Sequence, residues 1–213
     1  MREQLNKVFD HVTFVNIFDS KDSETLEFIG RPELGVTFTK LNCWKLTQYT
    51  KCVYIDSDAL VIKNSDELFD RPEIAGAPDI GWPDNFNSGV FVFEPSNKTY
   101  RDLVQFALHH GSFDGADQGL LNEFFSEWRH QDGPHRLSFV YNTTSGVNNS
   151  YVAALRRYKD AIKIAHFLGA VKPWHNAEHH GHLDEHWARW RKIFNERVKP
   201  FIPPGTVSFV IDF

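Results

Sequence analysis

The sequence predicts an α/β fold, and three observations support this prediction. The 213 residues are 41% hydrophobic and 24% charged, a globular composition that excludes disordered and fibrous chains. Short apolar runs, typical of buried strands, alternate with longer amphipathic segments, typical of helices. Neither repeats nor a domain boundary can be seen in the sequence. We therefore expect a single domain over residues 1–200 and a tail over 201–213.

The first part of the chain is expected to alternate between helix and strand. Residues 2–9 have the apolar spacing of the end of an amphipathic helix, and 11–17 are rich in β-branched and aromatic residues. The polar stretch at 19–35 predicts a loop. Apolar spacing predicts a helix over 37–49, and the apolar run KCVYI at 51–55 is typical of a buried central strand.

The remaining elements follow from hydrophobic period and from capping signals. Glycine, for example, ends the amphipathic segment at 99–111, as it does at many helix ends. In chain order we expect strands at 59–63, 87–95, 136–142 and 161–169, and helices at 66–71, 99–111, 114–128 and 186–198.

Charge and composition exclude several functions. The net charge is -5 without a basic stripe, so we expect no nucleic-acid partner. No stretch approaches the apolar length of a membrane span, and the first residues lack the apolar run of a signal peptide. Two cysteines, Cys43 and Cys52, form no disulfide framework, which favours a cytoplasmic location. The His-rich stretch 175–186 lacks HExxH and predicts a solvated loop.

The sharpest local pattern is Asp56-Ser57-Asp58, which directly follows the predicted strand at 51–55. In open α/β sheets, ligands bind beyond the carboxyl ends of strands. Two carboxylates at that place could bind one hard divalent cation, which keeps positions open for phosphate oxygens. The alternative is a solvated turn, because aspartate favours turns.

A second candidate is the segment HFLGAVKPW at 166–174. An imidazole such as that of His166 suits Mn²⁺ or Zn²⁺, and Lys172 suits a phosphate. Gly169 would permit close approach of the backbone to a ligand. The alternative is that His166 is a structural residue at the end of a strand.

A third candidate is the pair Asp114 and Asp117 at the start of a predicted helix, where they would share a face. They could bind hydroxyl groups or stabilise a sugar cation, or they could only cap the helix. Asn87 and Ser88, just before a predicted strand, indicate no more than a turn by themselves.

Four blocks of sequence, at residues 31–61, 86–96, 111–125 and 166–174, resemble those of glycogenins in the same order. Glycogenins are the self-glucosylating starters of glycogen within glycosyltransferase family 8. The resemblance extends over about residues 5–198. It implies a GT-A fold with a Rossmann-like, mostly parallel sheet, UDP-glucose as donor, Mn²⁺ as cofactor, a growing glucan as acceptor and a homodimer.

The resemblance also implies roles for single residues. Asp56, Asp58 and His166 match metal ligands, and Asp117, Asp114 and Lys40 match catalytic positions. In this interpretation, Asp117 stabilises or captures the oxocarbenium-like centre of a retaining transfer, and Asp114 orients hydroxyl groups. The positions that match donor-binding residues are Arg31, Lys40, Asp56, Ser57, Asp58, Asn87, Ser88, Asp114, Asp117, Gln118, His166, Gly169 and Lys172.

Two departures from the family pattern affect these expectations. The family's opening strand and helix do not precede residue 1, so we expect weak or no UDP-glucose binding by this chain alone. Asn149 occupies the usual acceptor-tyrosine position, and Tyr151 is the candidate acceptor. A family 8 transferase with a separate acceptor, and an inactive scaffold that pairs with a full-length partner, therefore remain alternatives. Glycogen synthase is a possible partner, although the family's recruiting motif is not seen after Pro203.

Overall fold

The computed structural model describes residues 2–15, 39–144, 151–169, 171–175 and 184–202. Its α-helices are α1 (Arg2–Leu5), α2 (Asn97–His110), α3 (Asp117–Phe124), α4 (Val152–Tyr158) and α5 (Asp184–Ile193). Its strands are β1 (Cys52–Ile55), β2 (Ala59–Val61), β3 (Ala75–Pro78), β4 (Phe86–Phe93), β5 (Thr143–Thr144) and β6 (Ile164–His166). Short 3₁₀ helices include Asn42–Lys45, Asp66–Asp70 and Phe139–Tyr141.

Strand β4 is the centre of the first sheet and pairs with β1 and β3, both antiparallel to it. All eight of its residues are buried, as expected for a strand that is covered on both faces. Tyr54 of β1 lies opposite Phe91 of β4, and the two rings stack with centroids 4.9 Å apart. Ile55 pairs with Val90, so the residues after β1 approach the first half of β4.

The second sheet has the order β2-β6-β5, with β6 antiparallel to β2 and parallel to β5. Its register pairs His166, the last residue of β6, with Ala59 at the start of β2. Ala59 follows Asp58 in the sequence. The pairing therefore brings His166 to the turn between β1 and β2, where the two predicted metal-binding carboxylates lie.

A cluster of aromatic rings forms the main core beneath the first sheet. Trp44 is fully buried, with its ring centroid 5.6 Å from that of Phe91, 4.9 Å from Phe93 and 6.0 Å from Phe125. Helix α2 contributes Leu103, also fully buried, to the same cluster. The carboxyl end of β1 is thus anchored to a rigid core, which favours precise placement of the side chains that follow it.

The α/β class is confirmed, but the described strands do not form the mostly parallel sheet that the resemblance implies. Three of the four strand pairings are antiparallel, and only β5–β6 is parallel. Strands β3 and β4 are joined by residues 79–85, a connection too short for the crossover that parallel strands need. Strands β3 and β4 therefore form a hairpin, in which they pair antiparallel.

Several predicted elements differ in the structure. The helix expected over 37–49 is helical only at 39–41 within the described residues and then becomes the 3₁₀ helix Asn42–Lys45. In a 3₁₀ helix residues three apart share a side, and Leu41 and Trp44 are both fully buried. The strand expected at 136–142 is instead the 3₁₀ helix Phe139–Tyr141, which leads into β5.

Helix α3 begins at Asp117 rather than at 114. Oδ1 of Asp114 accepts hydrogen bonds from Oγ of Ser112 at 2.7 Å and from the backbone N of Ala116 at 2.9 Å. These contacts offer the backbone an alternative to helical hydrogen bonds, so they hold the residues before α3 in a turn.

Several predictions fall outside or at the edge of the described residues. The strand expected at 11–17 is not found at 11–15, and its last two residues lie outside them. Most of the His-rich stretch also lies outside, and the boundary between the domain and the tail stays a prediction. In the described part of the chain, none of the helices combines the length and the hydrophobicity that crossing a bilayer requires.

Candidate functional site

A tight turn between β1 and β2 presents the two carboxylates of the Asp-Ser-Asp pattern. The backbone N of Asp56 donates to the carbonyl of Gly89 in β4 at 2.8 Å, and that of Ala59 donates back to the carbonyl of Asp56 at 3.0 Å. The carbonyl of Asp58 accepts from the backbone N of Phe167 at 2.9 Å. Backbone hydrogen bonds to both sheets therefore hold the turn in place.

Asp56, Asp58 and His166 form a compact group of metal-binding side chains. Their candidate ligand atoms all lie within 4.8 Å of one another. Nε2 of His166 is 3.2 Å from Oδ1 of Asp58 and 4.0 Å from Oδ2 of Asp56. His166 follows Asp58 by 108 positions and Asp56 by 110, so folding brings the predicted triad together.

The residues present fit a divalent cation. Nε2 of His166 is buried and makes no hydrogen bond of acceptable geometry to the described residues. A buried, unsatisfied nitrogen needs an explanation, and a metal ion would satisfy it. Carboxylate oxygens with one imidazole nitrogen suit Mn²⁺ or Zn²⁺ better than they suit softer ions.

Lys172 supplies positive charge on one side of this group. Its Nζ donates to Oδ2 of Asp58 at 2.6 Å and to the carbonyl of Phe167 at 2.8 Å. Burial raises the pKa of the Asp58 carboxyl, but the nearby His166 ring and Lys172 ammonium group outweigh burial and hold its pKa well below the usual value. Gly169 has φ +99°, which favours glycine, and a side chain there would meet no atom within 4 Å.

Lys40 and Asp117 form the adjoining half of the site. Nζ of Lys40 donates to Oδ2 of Asp117 at 2.5 Å and lies 3.3 Å from Oδ1 of Asp56. Oγ of Ser88 donates to the same Asp117 oxygen at 2.7 Å. The lysine side chain is only 9% exposed, so one buried cation connects the metal-binding carboxylates with the predicted catalytic carboxylate.

Gln118, at the start of α3, completes the contacts to β4. Its Oε1 accepts from the backbone N of Ser88 at 3.2 Å, and its Nε2 donates to Oδ2 of Asp79 at 3.2 Å. Asn87 donates to that same Asp79 oxygen at 3.0 Å. Asn87 of β4 and Gln118 of α3, both predicted to bind the sugar, therefore donate to the same carboxylate, that of Asp79.

The structure places the remaining predicted residues less centrally. Oδ1 of Asp114 accepts a hydrogen bond within the turn before α3. Gly119 lies close to this oxygen: a Cβ at Gly119 would be only 2.3 Å from it, so a side chain would not fit there. Ser57 is exposed in the turn between β1 and β2. Tyr151 is 68% exposed immediately before α4. Arg31 and Asn149 lie outside the described residues.

Two residues of the site, Asp79 and Asn142, were not found by sequence reasoning. Asn142 is 1% exposed, and its Oδ1 lies 2.9 Å from Nδ1 of His166. One sequence signal could have identified them: each is a polar residue that directly follows an apolar run or a strand, as Asp56 does. Asp79 follows β3, a strand that was not predicted at all.

Comparison with known proteins places the chain among sugar transferases. The sequence pattern described as Glycosyl transferase family 8 matches residues 70–178. The chain is 57% identical over 198 residues to Glycogenin-1 of Caenorhabditis elegans, across 93% of the chain and 46% of that protein. It is 55% identical over 174 residues to Glycogenin-1 of Homo sapiens, across 82% of the chain and 50% of that protein. The chain thus spans about half the length of these curated relatives.

Solved structures of glycosyltransferases share the fold. The glycosyltransferase GlyE of Streptococcus pneumoniae superposes with a TM-score of 0.54 at 24% identity, over 75% of the chain and 45% of that protein. The galactosyltransferase LgtC, solved in complex with donor and acceptor sugar analogs, also gives 0.54, at 17% identity over 84% of the chain and 74% of that protein. At this identity the likeness concerns the fold, and it confirms the GT-A fold that the resemblance implied.

Proposed function

The chain belongs to glycosyl transferase family 8, and on that premise we propose that it is a retaining glucosyltransferase of glycogenin type. Its donor is UDP-glucose, its first acceptor is a tyrosine of the protein itself, and its later acceptor is the growing α-1,4-glucan that primes glycogen synthesis. The observation that supports this most is the junction of the Asp56–Asp58–His166 group with Asp117 through Lys40.

The first part of the proposed mechanism concerns the leaving diphosphate. Asp56, Asp58 and His166 would hold Mn²⁺, which when bound supplies positive charge against the diphosphate oxygens. Lys172, which hydrogen-bonds Asp58, adds a cation at the same edge. Charge that develops in the transition state is stabilised most by groups that are already fixed in place, and hydrogen bonds fix this lysine.

The second part concerns the anomeric carbon. Asp117 is a carboxylate held by Lys40 and Ser88, and it stabilises the positive charge that grows on the sugar as the diphosphate departs. Asn87, Ser88 and Gln118 orient the sugar hydroxyl groups from β4 and α3. Lys40 orients Asp117, since it is largely buried and bridges to Asp56.

The third part concerns the acceptor. Tyr151 is 68% exposed directly before α4, so its phenol is accessible to a donor site on the same or another chain. We retain it as the acceptor candidate. A glucan acceptor would follow once the first glucose is attached. A homodimer, a cytoplasmic location and a partnership with glycogen synthase are further parts of this proposal that rest on the resemblance alone.

Intact-mass measurement after incubation with UDP-glucose and Mn²⁺ tests the proposal. We expect a series of added hexosyl units in at least one of two samples, the chain alone and a fused form, with the first unit mapped to Tyr151, and no added mass on Asp117→Asn. A parallel sample carries the amino-terminal segment of the Caenorhabditis elegans relative fused to the chain, because the chain spans only 46% of that protein. Failure of both samples to gain mass would contradict self-glucosylation.

The same experiment separates the alternatives. Release of UDP without added protein mass, and with sugar transferred to an added glucan, would favour a transferase with a separate acceptor. Absence of both UDP release and donor binding in both samples would favour the inactive scaffold. Tyr151→Phe serves as the matched control, since it removes only the acceptor hydroxyl group.

A further inference from the structure

A chain of buried side chains connects Asp79 with the imidazole of His166. Asn87 donates from Nδ2 to Oδ2 of Asp79 at 3.0 Å, and Asn142 donates from Nδ2 to Oδ1 of Asn87 at 2.7 Å. Oδ1 of Asn142 then lies 2.9 Å from Nδ1 of His166. Asn87, Asn142 and His166 are 6%, 1% and 1% exposed, so water competes little for these hydrogen bonds.

The direction of the first hydrogen bonds is fixed at both sides of Asn87. Its Nδ2 faces the carboxylate of Asp79, which when ionised can only accept. Its Oδ1 faces the backbone N–H of Gly89 at 3.1 Å, which can only donate. The orientation of this amide is therefore determined by two independent partners, and a flipped side chain would lose both contacts.

The orientation of the Asn142 amide follows from that of Asn87. Its Nδ2 faces two acceptors, Oδ1 of Asn87 at 2.7 Å and the backbone carbonyl of Asn87 at 3.5 Å. The other end of the amide, Oδ1, must then face Nδ1 of His166. Because an amide oxygen can only accept, the hydrogen of the neutral imidazole has to be on Nδ1.

We propose that Asn142 is a positioning residue that holds His166 with a hydrogen on Nδ1, so that the lone pair of Nε2 stays available for a cation held together with Asp56 and Asp58. In support, Nε2 is buried and makes no hydrogen bond of acceptable geometry among the described residues, although Oδ1 of Asp58 lies 3.2 Å away. Partners behind a ligating histidine fix its tautomer and its ring orientation. The use of this tautomer in metal binding rests on the proposed function, but the tautomer itself does not.

Gly89 restricts the same ring from the other side. A Cβ added at Gly89 would be 2.1 Å from Cε1 and 2.6 Å from Nδ1 of His166, so the ring lies directly against the glycine backbone. Rotation of the imidazole about its Cβ–Cγ bond would move Nδ1 away from Asn142, and the glycine backbone lies against the ring. The Asn142 hydrogen bond and the Gly89 contact thus act together on ring orientation.

The tautomer can be measured by ¹⁵N NMR of the metal-free chain, at a pH where the spectrum itself shows the imidazole to be neutral. The spectrum of His166→Ala identifies the His166 signals. We expect the Nδ1–H tautomer in the wild type, a mixture or the Nε2–H tautomer in Asn142→Ala, and retention of Nδ1–H in Asn142→Asp. The aspartate keeps an accepting oxygen for Nδ1–H, although it loses the Nδ2 donor to Asn87, so this variant should retain the hydrogen on Nδ1.

Titration with Mn²⁺ supplies a second readout. Loss of a residue behind a metal ligand typically weakens metal binding by about 10- to 100-fold, and we expect this range for Asn142→Ala. Thr143→Val is the matched control: it removes the hydroxyl group of the neighbouring residue, which donates to the carbonyl of Phe139 rather than to His166. Its Mn²⁺ affinity should stay within about twofold of the wild type.

Three results would overturn the inference. They are the Nε2–H tautomer in the wild type, an unchanged tautomer and Mn²⁺ affinity in Asn142→Ala, or loss of Nδ1–H in Asn142→Asp. If circular dichroism shows that Asn142→Ala is unfolded, Asn142→Asp still decides the question. Failure of the wild type to bind Mn²⁺ would instead contradict the proposed metal site and leave the tautomer result to stand by itself.

Discussion

Lys40 is the residue that joins the two halves of the site. Its buried Nζ lies 2.5 Å from Oδ2 of Asp117 and 3.3 Å from Oδ1 of Asp56. A largely buried cation in contact with two carboxylates fixes their separation. The carboxylates that we propose to face the diphosphate and the sugar are therefore held in one electrostatic unit rather than in two independent ones.

Replacement of Asp117 by asparagine tests the catalytic half of that unit. The amide keeps the size of the side chain and can still accept from Ser88, but it lacks the charge that stabilises a sugar cation. We expect transfer to fall by at least about 100-fold, the range for loss of one preorganised electrostatic group. Donor hydrolysis and Mn²⁺ binding are measured together. Mn²⁺ binding should persist in Asp117→Asn. Unchanged transfer in this variant would show that Asp117 has no catalytic role.

Gly89 carries a prediction of its own, because no side chain fits between β4 and His166. Gly89→Ala would place Cβ 2.1 Å from Cε1 of that ring, so the imidazole has to move. We expect Mn²⁺ affinity to fall at least tenfold, together with a loss of stability of about 1–3 kcal/mol from overpacking.

The control for Gly89→Ala is Gly133→Ala. Gly133 has φ +65° and open space around its Cβ position, so the substitution strains the backbone without a collision. Both variants should unfold at lower denaturant concentration, but only Gly89→Ala should lose Mn²⁺ affinity. Equal Mn²⁺ affinity in the two variants would show that the ring does not depend on this contact.

The sequence predicted the charged residues of the site better than the residues that orient them. Asp56 and Asp58 could be selected because both directly follow an apolar strand. The same signal marks Asn142 only as a polar residue after an apolar run, because its role depends on contacts to Asn87, 55 positions earlier in the sequence, and to His166, 24 positions later. Such a role exists only after the strands have paired, and no local pattern encodes it.

At the scale of elements, strongly patterned segments were predicted and irregular ones were not. Strand β4 and helix α2 match the expected segments to within two residues at each end. Strand β3 was missed, because its sequence Ala-Gly-Ala-Pro has low strand propensity and it is stabilised by pairing with β4. Tertiary contacts outweigh local propensity there.

Helix α2 offers a test of local capping. Oγ of Ser96 accepts a hydrogen bond from the backbone N of Thr99 at 3.2 Å, which satisfies one free N–H group of the first turn. We expect Ser96→Ala to lower the free energy of unfolding by about 1 kcal/mol in urea denaturation.

Ser65 is the matched control for this cap. It precedes the 3₁₀ helix Asp66–Asp70, but its hydroxyl group donates to the carbonyl of Lys63 and caps no helical N–H group. Ser65→Ala should change stability by less than about 0.5 kcal/mol. An equal loss in the two serine variants would mean that the cap does not stabilise α2.

At the scale of the whole molecule, Glu67 connects segments that are far apart in the sequence. Its carboxylate accepts a hydrogen bond from the Tyr141 hydroxyl group at 2.6 Å and pairs with Lys163, just before β6. The hydrogen bond from Lys163, followed by the one from Tyr141, lowers the pKa of Glu67 to about 2. This contact couples the 3₁₀ helix Asp66–Asp70 to the second sheet.

The depressed pKa of Glu67 predicts a pH dependence. A carboxylate with a lower pKa in the folded state stabilises the protein above its ordinary pKa of 4.5, and this contribution is lost as pH falls towards about 2. We expect Glu67→Gln to be less stable than the wild type at pH 7. As the pH falls from 4.5 to about 2, it should also lose less stability than the wild type. Urea unfolding at a series of pH values measures both effects.

Glu94→Gln is the control for this prediction. Glu94 pairs with Lys51 at 3.6 Å, and its side chain is 52% exposed, so this ion pair contributes little to stability. Its variant should follow the wild-type curve. A Glu67→Gln curve parallel to that of the wild type across the acidic range would contradict the proposed coupling.

Binding of Mn²⁺, followed by electron paramagnetic resonance of the free ion, tests the central claim that Asp56, Asp58 and His166 form the metal centre of a transferase site. We predict one site in the wild type, weakened at least about tenfold in Asp58→Asn and His166→Ala. The control is Asp102→Asn on α2, a carboxylate paired with Lys98 at 2.6 Å, which should bind like the wild type. Equal Mn²⁺ affinity in all four proteins, or none in the wild type, would contradict the account.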